Sequence, residues 1–447
     1  MIVDTPAGPH VMSLLCLLTF VAFVVIFGLI AWEKMPRMCL AVFGAVLVMV
    51  LGVLDVTEAA NAVSWETIGF LLGMFLLIEM LVEAGFFRWI ALSVARRLHY
   101  SPLRILLCFP LLAFVLSAFI NSITVMVFLS VVTYELSRLL KFDALPVIVT
   151  EVVLSNIGGA GTLIGDPPNV ILGTQLGFGF NAFLIHNGPI ALVSAFAAAG
   201  VSYWTHRRSF TAAAVGVDLT SVKSLDPRAQ LGDRYLLVCG LTGMAVALAL
   251  LIGRPLWNSF HFPVDIATAS LLPAFLILTF GGERIYRHQF MRRIDAETLL
   301  FFIGLFILVA ALEKRFIIQM AANSVAALFT TPAGFVSSTF WGSALVSAFV
   351  DNVPLAMGMT QVIKQSVAHG IVPAAGIMVW ATSIAVDFGG NLTPIGASAN
   401  VVAYSFLEKS GVRLGWGRWL QLALPPGLAA LAVGYLGILL KLKFGFY

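Results

Sequence analysis

The chain has 447 residues, 60% of them hydrophobic and 11% charged, with a mean hydropathy of +0.99. That composition excludes a soluble domain and describes a polytopic membrane protein. The net charge of +4 is too slight to argue for nucleic acid as a partner.

Met1–His10 is short and polar. Val11–Trp32 reads as the first span, since it is too long for a signal segment and lacks a small-residue cleavage site. Further spans are predicted at about 38–54, 66–84, 145–157 continuing at 167–180, 186–205, 234–252, 264–281, 297–312, 372–387 continuing at 398–408, and 418–440. Phe86–Arg97 interleaves aromatic and aliphatic residues with Arg88, Arg96 and Arg97, the pattern of an amphipathic interfacial helix on the cytoplasmic face or of a plain helix end. The apolar stretches at about 105–134 and 335–363 are too long for one straight span and are polar at their middles, so both are read as re-entrant hairpins. Residues 206–232 form the one long polar stretch and read as a cytoplasmic linker between a first repeat, 1–205, and a second, 233–447.

The chain is organised around Asn156–Asn169, NIGGAGTLIGDPPN, which interrupts an apolar run with helix breakers. Asp166 reads as an N-cap and Pro167 as the first residue of a new helix. A helix broken at membrane depth is tolerated only inside protein or against a wet cavity. Asp387–Asn400, DFGGNLTPIGASAN, repeats the pattern, with Gly158/Gly389, Gly159/Gly390, Thr162/Thr393, Ile164/Ile395, Gly165/Gly396 and Asn169/Asn400 in register. Matching interruptions in two halves point to a transporter's binding site. The repeat extends outward. Glu66, Thr67 and Gly73 match Glu297, Thr298 and Gly304, and Ser117-Ala118-Phe119 matches Ser347-Ala348-Phe349. The expected fold is therefore all-α, with two inverted-topology repeats, each of five crossings, one re-entrant hairpin and one discontinuous helix. An odd number of crossings per half requires the inversion. With the amino terminus outside, only Arg254, Lys314, Arg315, Lys364, Lys441 and Lys443 of the 26 Lys and Arg face outward, in accord with the positive-inside rule. Arg37 is counted here as an inner loop charge.

Acids at membrane depth are functional candidates. Glu79, Glu151, Asp166, Asp351 and Asp387 qualify, and Glu151, Asp166, Asp351 and Asp387 are the candidates for ion or proton coupling. Asp387 aligns with Asn156, Asp166 with Ala397 and Asp351 with Asn121, so each half keeps a carboxylate where the other has lost one. Asn121, Ser122, Thr124, Thr162, Asp166, Asn169, Asn352, Thr393, Ser398 and Asn400 supply a solute site of hydroxyls, amides and one carboxylate. No intramembrane Lys or Arg is evident near the breaks, which argues against a multiply charged anion. Cys16, Cys39, Cys108 and Cys239 are scattered as reduced packing residues, and the 7 His show no metal-ligand spacing, so no metal or cofactor is expected.

NIGGAGTLIGDPPN, the tips SAFINSIT and SAFVDNVP, and GGNLTPIGASANVV together resemble the ArsB/NhaD group of the ion transporter superfamily, over about 15–440. That resemblance implies two inverted repeats meeting at a central site, alternating access and ion coupling in a multi-pass bacterial or archaeal cell membrane. A homodimer and a soluble ATPase subunit are partners it admits. Members of the P-protein type often carry Asp-Asn at the first tip, where this chain has Asn121-Ser122.

The leading expectation is export of arsenite or antimonite in exchange for protons, because an uncharged trihydroxide suits hydroxyls, amides and half-helix ends. The alternative is a sodium-coupled transporter, either a Na+/H+ antiporter or an organic-anion symporter. An enzyme of another class, an intramembrane aspartyl protease, is set aside because Leu163-Ile164 precedes Gly165-Asp166 where a GxGD motif needs a further glycine.

Overall fold

The computed structural model describes residues 2–5, 8–11, 14–31, 35–213, 226–261, 264–287, 290–317, 331–368, 370, 372, 374–412 and 414–446. Nearly all of it is helix. The exception is an antiparallel pair, β1 (Ile2–Thr5) and β2 (Gly8–Val11), in the stretch read from sequence as merely short and polar.

The first half contains α1 (Leu14–Ala31), α2 (Arg37–Val50), α3 (Val56–Ala62), α4 (Trp65–Glu83), α5 (Phe86–Arg97), α6 (Pro102–Ser117), α7 (Ser122–Leu140), α8 (Ala144–Ala160), α9 (Pro167–Leu176), α10 (Phe180–His186) and α11 (Gly188–Ala213). The second contains α12 (Arg234–Ile252), α13 (Ile266–Phe280), α14 (Ala296–Lys314), α15 (Pro332–Ser347), α16 (Asn352–Ala368), α17 (Ala375–Gly389), α18 (Ser398–Lys409) and α19 (Trp416–Phe444), with helical turns of six residues or fewer between some of them. Local chemistry sets many starts. The side chains of Asp55, Ser64, Asp143, Asp233, Asp265, Asp295 and Thr331 each accept a backbone N–H at the first turn that follows. α4, α7, α12, α14 and α19 are among the described helices long and apolar enough to cross a bilayer.

The helices sort into two packed groups. α2, α4, α12, α13 and α14 form a frame, while α6 to α9, α11 and α15 to α19 form a core bundle. Within the frame the halves exchange partners. A Cβ at Gly73 of α4 would lie 2.6 Å from the Ser270 carbonyl carbon of α13, and one at Gly304 of α14 would lie 2.6 Å from the Ala41 carbonyl carbon of α2. Both glycines are required by backbone-to-backbone approach between a helix of one half and a helix of the other.

Most predicted spans match helices to within a few residues, and both hairpins form, their legs extending to 102–140 and 332–368. α11 continues beyond the predicted boundary at 205 to Ala213. Of the linker, 214–225 lie outside the described residues. Its carboxy-terminal part is not a plain solvated connector: Pro227–Gln230 forms a 3-10 turn packed on α5, and Gly232 N–H donates to Ala84 O at 3.2 Å. α5 also departs from a lipid-facing reading. Phe87, Ala91, Leu92 and Ala95 are buried in protein, and Phe87 stacks on Phe128 of α7.

Candidate functional site

The two interruptions are built by the same bonds. In the first, Gly158 lets α8 approach α6, since a Cβ there would sit 2.2 Å from Phe114 O. Thr162 Oγ1 then donates to Ala118 O at the hairpin tip, and Asn169 Nδ2 donates to both Gly159 O and Thr162 O at 2.9 Å. In the second, a Cβ at Gly389 would sit 2.4 Å from Ala344 O of α15. Thr393 Oγ1 donates to Ala348 O, and Asn400 Nδ2 donates to Gly390 O at 2.8 Å and Thr393 O at 2.7 Å. The carbonyls that each break frees are thus taken up by an amide from the half-helix that follows. Thr162, Asn169, Thr393 and Asn400 hold the loops in shape and do not line the cavity.

Across the pseudo-repeat, Asn156 Nδ2 donates to Asn391 Oδ1 at 2.8 Å and to Asn400 Oδ1 at 2.9 Å. Ser383 Oγ donates to Asn169 Oδ1 at 2.6 Å and accepts from Asn187 Nδ2 at 2.8 Å. All five of these asparagines and Ser383 are buried. This polar seam joins the halves directly behind the tips.

Asp166 occupies the N-cap position but makes no cap bond with its side chain. Pro168, at the second helical position, removes one of the two N–H groups that a cap would serve. The carboxylate turns instead to the hairpin tip, where Ser122 Oγ donates to it at 2.9 Å. The expectation of a capping Asp is therefore corrected. On the other side of the seam, Asp387 lies 3.3 Å from the Asn352 amide of the second tip, as Asp166 lies against Ser122 of the first. Both acids are buried, and Asp387 Oδ2 has no hydrogen-bond partner among the described residues. Two buried carboxylates at neighbouring hairpin tips repel each other unless a proton or a cation offsets their charge.

Asp351 does not join that pair. It faces Arg37 at the start of α2, whose Nη1 lies 2.7 Å from Asp351 Oδ2 and 2.7 Å from Ser398 Oγ. Ser398 in turn donates to Asp351 at 2.8 Å. The reading that no cation stands near the breaks is thus overturned, because α2 brings Arg37 to the second tip from far away in the sequence. Glu151 is fully buried in α8, accepts from Thr133 of α7 and lies outside the cavity.

A cavity of about 210 Å³ separates frame from core at this point. The core contributes Asn121, Ser122, Asp166, Asp351, Asn352 and Ser398, and the frame contributes Arg37, Asp295, Glu297 and Thr298. Thr124 lines an adjoining cavity with Glu79 and Arg293. Glu79 is otherwise engaged with Arg293, 3.7 Å away. A further cavity of about 130 Å³ lies at the opposite end of α14, beside Glu313, Gln361 and Lys364. Sequence reasoning missed Arg37, Asp295, Glu297 and Asn391. Arg37 follows Lys34 at a span start, where a cation reads as a topology signal. No group of three or more His, Cys, Asp and Glu among the described residues could hold a metal ion.

Paired hairpins set against paired broken helices around a polar seam, within a bundle of apolar helices, define a polytopic membrane transporter. The family model for citrate transporters matches residues 27–385. The chain belongs to that family. It is 32% identical over 435 residues to a 46 kDa membrane protein of Mycobacterium leprae, covering 94% of this chain and 97% of that one. An uncharacterized transporter of Mycobacterium tuberculosis is 32% identical over 399 residues, covering 87% of this chain and 90% of its own. The human P protein is 26% identical over 92% of this chain and 58% of its own length. In fold, the chain is similar to the YdaH transporter of Alcanivorax borkumensis, with a TM-score of 0.59 at 14% identity, covering 100% of this chain and 94% of that one.

Proposed function

We propose that this protein is a secondary active transporter that moves a small solute by alternating access and couples it to a proton or cation bound at the Asp166–Asp387 pair. Two buried carboxyls, Asp166 on Ser122 of the first tip and Asp387 on Asn352 of the second, carry the reading. Cavities at both ends of α14 support it, since Thr298 and Glu313 stand about 22 Å apart at the helical rise per residue. The reciprocal exchange of α4 and α14 supports an inverted repeat of two halves, with the core bundle as the part that moves against the frame.

Among solutes, a small organic anion fits best, because Arg37 stands in the cavity beside both the second tip and the second broken helix. Arsenite or antimonite exchange, as in the ArsB/NhaD group, is the second reading. It is favoured by the neutral donors Asn121, Ser122, Asn352 and Ser398 on the cavity wall. The test is uptake of citrate, succinate, arsenite and Na+ into everted vesicles under imposed pH and Na+ gradients. Gradient-driven citrate or succinate uptake supports the anion reading. Arsenite uptake without it supports the second, and exchange of Na+ for H+ with neither solute overturns both.

A further inference from the structure

We propose that Arg37 is the residue that recognises the acid group of the transported anion, and that Asp351 competes with that anion for the same guanidinium. The inference deepens the anion reading above and rests on it.

Both bonds of Arg37 to the core run through Nη1, to Asp351 Oδ2 and Ser398 Oγ. The Nη2–Nε edge has no protein acceptor among the described residues. A guanidinium presents its N–H groups in a rigid planar fork, so a free edge is the geometry that receives a carboxylate through two parallel bonds. The Phe301 ring lies 5.8 Å from Arg37 Cζ and limits how the fork can swing. The side chain is 39% exposed and lines the cavity, while that of Asp351 is only 11% exposed. An acid held this deep, on a cation that remains open to the cavity, behaves as an internal ligand. Arg37 is the one cation on that wall among the described residues; Asp166, Asp295, Glu297 and Asp351 are its acids. An anion therefore binds there only with its charge met by Arg37 and with cations or protons on the surrounding acids, which makes binding and coupling interdependent. Arg37 belongs to the frame, and Asp351 and Ser398 to the core. A solute acid on the free edge and Asp351 on Nη1 then share the charge of one guanidinium, so each weakens the hold of the other across the frame-to-core boundary.

An ordinary structural ion pair predicts that removing either partner does similar harm. Competition predicts opposite signs. In the full chain reconstituted into proteoliposomes, Arg37→Gln should raise the KM for the transported anion by about 10-fold or more, as expected for a lost charge-assisted pair. Arg37→Lys should recover part of that loss, because a point charge lacks the fork. Asp351→Asn should lower the KM. Inhibition of flux by succinate should weaken in Arg37→Gln, whereas inhibition by succinamide, its neutral counterpart, should be unchanged. Thermal unfolding of each variant in detergent separates misfolding from lost recognition. Equal rises of KM in Arg37→Gln and Asp351→Asn, or equal weakening of succinate and succinamide, would overturn the inference while leaving anion transport itself standing. A wild-type chain that carries no anion removes the anion reading and this inference with it.

Discussion

The close approach of each hairpin to its broken helix should make alanine a costly residue at two glycines. A Cβ at Gly158 would lie 2.2 Å from Phe114 O, and one at Gly389 would lie 2.4 Å from Ala344 O and 2.5 Å from Ala344 Cα. The obstruction is backbone, so no side chain can swing aside. Relief requires α6 to leave α8, or α15 to leave α17, by roughly 1 Å, the shortfall from ordinary carbon–oxygen contact. Overpacking of this kind costs about 1–3 kcal/mol. The helical gain from replacing glycine with alanine, about 0.5–1 kcal/mol, offsets only part of it. Gly200 in α11 is the control, because nothing lies within 4 Å of a Cβ there. Purified Gly158→Ala and Gly389→Ala should unfold at a lower temperature than wild type by tryptophan fluorescence, and Gly200→Ala at the same or a higher one. Both destabilised variants should also lose transport, because the same displacement moves the tips that carry Ser122 and Asn352. Unfolding temperatures for all three variants equal to that of wild type would refute the argument.

Other outcomes are expected. Asp387→Asn should fold normally, since Asn156 occupies the matching place in the first half, and should keep solute counterflow while losing gradient-driven accumulation; normal accumulation would exclude Asp387 from coupling. At the carboxy-terminal end of α14, hydrogen bonds from Lys314 and from the Asp55 backbone hold Glu58 below the usual carboxylate range. The pair therefore contributes stability above the ordinary Glu value of about 4.3, and loses it as pH falls through the lowered one. Lys314→Met should lower the unfolding temperature at pH 7, and the difference from wild type should vanish on acidification; a constant difference would exclude the ion pair as its cause. Cysteines replacing Ser221, outside the described residues, and Ser259 should react with an impermeant reagent from opposite sides of the membrane. Labelling of both from one side would contradict the inverted arrangement.

The breaks and the hairpins were legible in the sequence because glycine, proline and small polar residues in an apolar run have few other uses at membrane depth. The matching of Asn169 with Asn400 and of Thr162 with Thr393 even identified the residues that tie the loops, although not that they face away from the cavity. Arg37 was invisible for a physical reason. Its contact with Asp351 spans most of the chain, and a lone cation at a span start looks like any other loop charge. Asp-Pro marked the helix start correctly, but nothing local indicates that the Asp166 carboxylate leaves the cap and is held by Ser122 of another element. The apolar residues of Phe86–Arg97 fixed an amphipathic helix, but amphipathicity alone does not distinguish lipid from α7 as the covering surface.

The exchange of α4 and α14 between halves also bears on how the protein is made. α2 and α4 are synthesised long before α14 and α13, the helices whose backbones Gly304 and Gly73 bring against them. The gap between Gly73 and Ser270, about 200 residues, corresponds to roughly 10–40 s of translation. For that interval the glycine face of α4 has no permanent neighbour, and a small-residue face in a bilayer is one that other helices can occupy. The first half of the frame therefore waits for its partners, which arrive only with Ile266–Phe280 and Ala296–Lys314. A chain halted before Phe280 would hold a formed first hairpin and broken helix beside a frame helix still without its partner.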